Sequence, residues 1–194
     1  MAINKYAGKK CFVIMPFGIK KDVDGCEVDF NYVYHELIYK AVSELGVDCE
    51  RCDEIIDTGS IHKKMFRGIF DADVSVVDIT SLNPNVFYEL GVRHALHKYA
   101  TLVIRRNSNA PIPFNINGLT IVGYDVDSEE QLERNRKKIR DYIRNGLEAP
   151  NVDSIVYDAL DDLKVERKPR TIETREEKLY PIISAPGKQI GVIS

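Results

Sequence analysis

Along the chain, short unbroken apolar runs alternate with longer stretches in which apolar residues recur every three or four positions. The run "KKCFVIMPFG" is β-branched and aromatic and is stopped by Pro16 and Gly18, so it predicts a buried strand leading into a loop. From Asp29 to Leu45 the apolar residues Val33, Leu37, Ile38, Ala41, Val42 and Leu45 fall at helical spacing, with Gly46 where a helix ends. "VDCERC" predicts a second strand. Ser60 is a fitting cap for "IHKKMFRGIFDA", whose Ile61, Met65, Ile69 and Phe70 make one apolar side, and "DVSVVDIT" follows as a third strand. In "DITSLNPNVFYELGVRHAL" Asn83 caps a helix and Pro84 takes its first position, where a missing N–H costs nothing. "YATLVIRR" and "GLTIVGYD" predict two more strands, and Ser128 with Gln131 has the spacing of a capping box opening "EEQLERNRKKIRDYIRN".

Strand and helix thus alternate about five times, which implies an α/β fold with a mainly parallel five-stranded sheet covered by helices on both faces. Ligands of such sheets bind at the carboxyl ends of the strands. Residues 16–21, 51–59, 78–85 and 105–117 are therefore expected around one crevice. Residues 1–149 make up this domain, and 150–194 form a C-terminal extension. The extension holds a short helix in "NVDSIVYDALDDL", a solvated charged run, and an apolar-flecked tail that packs on the domain or on a partner.

The length of 194 residues suits one domain and a modest appendage, and 44% hydrophobic residues suffice for a packed core. A net charge of −3 with both signs mixed along the chain argues against a nucleic-acid polymer as partner, since a basic face is needed to displace its counterions. A small ligand fits better. The polar start "MAINKYAGKK" and the brief apolar run Cys11–Met15 predict neither a signal peptide nor a membrane span, so a soluble, cytoplasmic protein is expected. Cys11, Cys26, Cys49 and Cys52 are expected to be reduced thiols. The lone C-x-x-C of "CERC" is too little for a zinc site, so neither metal nor cofactor is assigned.

Two acids stand out. Asp78 ends the third predicted strand, at the mouth of the expected crevice, and Glu89 lies eleven residues later in the second turn of the next helix. Asn85 is four residues before Glu89 and shares its face, while the helix N-terminus is expected to keep Glu89 ionised. Near a ribose anomeric carbon, an ionised carboxylate can attack or stabilise an oxocarbenium ion while a second holds sugar hydroxyls or handles a proton. The competing reading has Asp78 capping its loop and Glu89 paired with Arg93 at i+4. Arg51 and Asp53 form a structural pair or grip a ligand. Asp73 starts a strand or touches the site, Lys20 and Lys21 meet a phosphate or only solvent, and Phe114 is a candidate to stack on a base. Tyr32, Tyr34, His94 and His97 read more readily as packing residues.

"CFVIMPFG", "ERCDEI" and "IFDADVSVVDITSLNPNVFYELGVRHALHK" together resemble the TIR-like and nucleoside 2-deoxyribosyltransferase-like proteins, a superfamily of flavodoxin-like (Rossmann-like) folds that cleave N-glycosidic bonds. The resemblance spans Cys11 to Tyr124 and is most specific from Asp73 to Lys98. It implies that Glu89, in "ELGVRHAL", is the nucleophile or the residue needed to cleave NAD, with Asp78 the strand-ending acid before it. It implies a nucleotide, nucleoside or NAD-like ligand and a homo-oligomer; the candidate ligand-binding residues, Pro16, Phe17, Gly18, Arg51, Asp53, Asp73, Asn85 and Phe114, come from the reading of the residues themselves. A non-catalytic nucleotide sensor or assembly module is the alternative. The chain departs from the family at Met15–Gly18 and at Phe87-Tyr88, so the base pocket does not carry over.

Overall fold

The computed structural model describes residues 5–52 and 61–166. Its strands are β1 (Lys10–Ile14), β2 (Ile19–Lys21), β3 (Glu27–Asp29), β4 (Asp48–Arg51), β5 (Val74–Asp78), β6 (Thr101–Arg106) and β7 (Ile121–Tyr124). Five of them form one parallel sheet in the order β4-β1-β5-β6-β7, the flavodoxin-like arrangement, and β2 pairs antiparallel with β3 as a separate hairpin. Each central strand buries both faces, which is why its sequence is a continuous apolar run rather than an alternation. In β1, Cys11 and Val13 face one core, and Phe12 and Ile14 face the other.

The first core lies under a long helix and α5 (Glu129–Glu148). The long helix starts as α1 (Phe30–Tyr32), widens into a π-helical stretch over Val33–Tyr39, and closes as α2 (Lys40–Glu44). The expected start holds, with the Asp29 carboxylate accepting from the N–H groups of Asn31 and Tyr32. The second core lies under α3 (Ile61–Asp71) and α4 (Pro84–Leu96). Gly68 of α3 sits so close to the Phe12 ring that an added Cβ would be 2.4 Å from it. Ser60 lies outside the described residues.

The hairpin of β2 and β3 stands where only a loop was expected. Its strands are three residues each and mostly charged, so no apolar periodicity marks them. The turn is made by Asp22, whose Oδ1 accepts from the N–H groups of Asp24 and Cys26 at 2.9 Å, and by Gly25 at φ 82°. The C-terminal extension docks through Ser154, which donates to the carbonyl of His94 at 2.7 Å, and through Asp153, which accepts from Thr101 N–H at 2.8 Å. Its helix, α6 (Ile155–Ala159), is shorter than expected, and the tail from residue 167 lies outside the described residues. No described helix is long and apolar enough to cross a membrane.

Arg93 of α4 is wholly buried. Its guanidinium donates to five backbone carbonyls: Ile69 and Ala72 at the end of α3, Asp73 before β5, and Tyr99 and Ala100 before β6, at 3.0–3.4 Å. Nε donates to the Thr101 hydroxyl at 3.2 Å. The arrangement ties α4 to the amino ends of two central strands. Arg93→Met should lower stability by about 3 kcal/mol or more in urea unfolding, because each buried acceptor left without a donor costs roughly 1–3 kcal/mol. A loss below about 1 kcal/mol would remove Arg93 from this role.

Candidate functional site

The strand order reverses direction between β1 and β5, and the loops leaving their carboxyl ends flank the crevice where such sheets take ligands. The loop after β1 is Met15–Gly18. Pro16 is buried, Gly18 adopts φ 69°, and Phe17 is 59% exposed. Gly18 N–H donates to the Asn31 side-chain oxygen at 3.2 Å, and its carbonyl accepts from Phe30 N–H at 3.1 Å. Arg51, at the end of β4, reaches the same junction. It donates to Asn31 Oδ1 at 3.0 Å and to the Phe30 carbonyl at 3.4 Å, and it stacks over the Tyr34 ring with 4.4 Å to the centroid. Arg51 is buried, so its guanidinium builds the loop instead of meeting a ligand. Asp53 lies outside the described residues.

The hairpin is fastened above the carboxyl ends. Asp22, nearly buried, accepts from Arg106 of β6 at 3.2 Å, and Ser108 donates to Asp24 at 2.6 Å. Lys20 and Lys21 are exposed on β2. Phe114 stands 91% exposed in a short 3₁₀ turn, Phe114–Ile116, within the β6–β7 connection.

Asp73 belongs to the other end of the sheet. Its carboxylate accepts from Lys10 N–H at 2.9 Å, and it precedes β5, so it registers the amino ends of β1 and β5 and is not part of the carboxyl-end crevice. A strand-start residue of a parallel sheet is separated from that crevice by the whole strand.

Asp78 is at the expected end of β5 but has no exposed surface. Oδ1 accepts from Thr80 N–H at 2.9 Å and from the Thr80 hydroxyl at 2.5 Å, and Oδ2 accepts from Tyr124 OH at 2.7 Å. In this arrangement it clasps its own loop and cannot hold sugar hydroxyls at the crevice mouth. Burial pushes its carboxyl up to about 6 against the lowering effect of these donors.

Glu89 is the acid that remains accessible. The α4 helix begins as its sequence dictates, with the Asn83 side chain accepting from Asn85 N–H at 2.9 Å and Pro84 at the first position. Asn85 is exposed and Glu89, one turn on, is half-buried. The pairing with Arg93 is not made, since Arg93 spends its donors on backbone carbonyls at the opposite end of the sheet. Burial alone pushes the Glu89 carboxyl up to about 7. Burial acts here against the helix N-terminus, which favours the ionised form.

No family model and no curated protein matches the sequence. What the site can do rests on its own geometry.

Sequence reasoning missed Thr80, Tyr124, Asn31 and Asp22. The "DIT" triplet carried a signal for Thr80, since an Asp two residues before a Thr favours a side chain to backbone turn. Nothing local marks Tyr124, which is 46 residues from Asp78. His94 is buried and held down to about 4 by desolvation and by the Arg93 charge, so it is a neutral packing residue. Two cavities, of about 440 and 420 Å³, lie away from Glu89. One is between α5, the amino ends of β6 and β7, and the segment 149–158, and the other is between β4, β1 and α3. Among the described residues, no group of three His, Cys, Asp or Glu side chains is placed to hold a metal ion.

A carboxyl raised on folding binds its proton more tightly in the native state, so its contribution to stability is present below about pH 4.5 and is lost as pH rises toward 7. Glu89→Gln removes that loss. The variant should melt higher than wild type at pH 8 and level with it at about pH 3.5, below the ordinary carboxyl value. An equal difference at both pH values would mean that Glu89 titrates normally.

Proposed function

We propose that this protein cleaves the N-glycosidic bond of a nucleotide, nucleoside or NAD-like dinucleotide, with Glu89 acting on the ribosyl centre. One observation carries this reading: a half-buried carboxylate, raised to about 7, with no ion-pair or hydrogen-bond partner among the described residues, one turn into the helix that follows the switch-point strand. The resemblance to TIR-like and deoxyribosyltransferase-like proteins supports the same residue.

The chemistry follows from that environment. As the C1′–N bond breaks, its electron pair leaves with the base and positive charge develops on the ribose. An ionised, poorly solvated carboxylate beside that carbon stabilises the charge strongly in a low dielectric. It can also form an ester at C1′, which water or an acceptor base then displaces. In this reading Asn85, exposed one turn earlier on the same face, binds a sugar hydroxyl, and the exposed Phe17 ring in the loop after β1 meets the base.

A second reading, a nucleotide sensor that binds without cleaving, is favoured by one observation: Asp78, the second acid, has its oxygens occupied internally. Free-base release from NAD, ribonucleotides, deoxyribonucleotides and nucleosides separates the two. Wild type should release base from at least one class, and Glu89→Gln should lower the rate about a thousandfold or more. Because the ionised carboxylate is the active form, the rate should rise with pH through about 7. Saturable binding with no product from any class would establish the sensor, and undiminished release by Glu89→Gln would remove Glu89 from the mechanism.

A further inference from the structure

Three strand ends meet at Asp78, and the protons there can be assigned. The Thr80 hydroxyl lies 2.5 Å from Asp78 Oδ1 and Tyr124 OH lies 2.7 Å from Oδ2, so each hydroxyl gives its one proton to the carboxylate. Their own contact, at 3.1 Å, is left without a proton. Thr80 Oγ1 is thereby free to accept, and it takes the backbone N–H of Arg106 at 2.9 Å. The cluster joins the ends of β5, β6 and β7, and through the Arg106 side chain it reaches Asp22 of the hairpin at 3.2 Å. Both hydroxyl protons of the cluster are thus directed at the Asp78 carboxylate.

The segment that leaves this cluster is short and strained. Ile79 N–H donates to the Ile104 carbonyl and Leu82 N–H to the Ile79 carbonyl, both at 3.0 Å, and Leu82 is held at φ 48°, a left-handed conformation unfavourable for leucine. Asn83 then caps α4. A leucine stays in that conformation only where its surroundings fix it, and Leu82 is hydrogen-bonded to Ile79 and lies two residues after Thr80.

We propose that Thr80 and Tyr124 are positioning residues for Glu89: by locking the carboxylate of Asp78, they set the strained turn at Leu82 and hence where α4 begins and how deeply Glu89 sits. The proposal rests on the reading of Glu89 as the reactive group, but its first test needs no activity. The Glu89 carboxyl can be titrated by carbon NMR in wild type and in Tyr124→Phe, Thr80→Val and Thr80→Ser. If the cluster sets the depth of Glu89, loss of either hydroxyl lets water reach the carboxylate, and the midpoint should fall by about half a pH unit or more toward the ordinary value for Glu. Thr80→Ser, which keeps the hydroxyl, should retain the wild-type midpoint. With the substrate found by base release, Tyr124→Phe and Thr80→Val should lower kcat by about ten- to a hundredfold with KM unchanged, as expected for misplacement near 1 Å.

An unchanged Glu89 midpoint and kcat in folded Tyr124→Phe and Thr80→Val would overturn the proposal. So would failure of both to fold, since the cluster would then be purely structural. Absence of base release by wild type would count against the proposed reaction alone, because the NMR titration still decides whether the cluster sets Glu89.

Discussion

The guanidinium of Arg93 is the interaction on which the rest of the molecule turns. It sits wholly inside the protein, cannot shed its charge, and spreads that charge over five backbone carbonyl dipoles from α3 and from the segments entering β5 and β6. A lysine could not reach so many acceptors at once. Because Arg93 follows Glu89 by one helical turn, the anchor has a chemical consequence. The cation that would ordinarily neutralise an acid at i−4 is committed elsewhere, and Glu89 is left half-buried with its carboxyl raised to about 7. Fixing the helix and freeing the acid are two results of the same set of hydrogen bonds.

The two carboxylates of the region show how environment separates roles. Asp78 is the more deeply buried, yet three donors hold it, so desolvation raises it only to about 6. Glu89 is less buried, but nothing described compensates it, and it rises to about 7. One acid fixes backbone and the other keeps a carboxylate with no partner among the described residues, two environments that push paired acids apart. The β2–β3 hairpin is bound to β6 through Asp22 and Arg106.

Much of the frame was legible in the chain because it is written locally. The apolar runs of β1, β5 and β6, the Asn83 and Pro84 start of α4, and the Ser128 cap of α5 each depend on neighbours within a few residues. The place of Glu89 in the second turn of α4 was legible for the same reason. The fate of Asp78 was not, because a strand-ending aspartate reads alike whether it faces solvent or a tyrosine 46 residues away. The upward shift of Glu89 was not legible, because desolvation is a property of packing whereas only the helix N-terminus is visible in sequence. Arg51 read equally as a structural partner or a ligand group, since only the fold brings Asn31 and the Tyr34 ring to it. The hairpin escaped notice because strands of three charged residues have no period to detect.

The most direct measurement is a crystal structure of Glu89→Gln soaked with NAD and, separately, with a nucleoside monophosphate. The expected result is a ribose between the Met15–Gly18 loop and the start of α4, its anomeric carbon within about 3.5 Å of the side chain at position 89. A ligand seated instead in the cavity beside α5 and the segment 149–158, with position 89 untouched, would contradict the assignment of both the crevice and the acid.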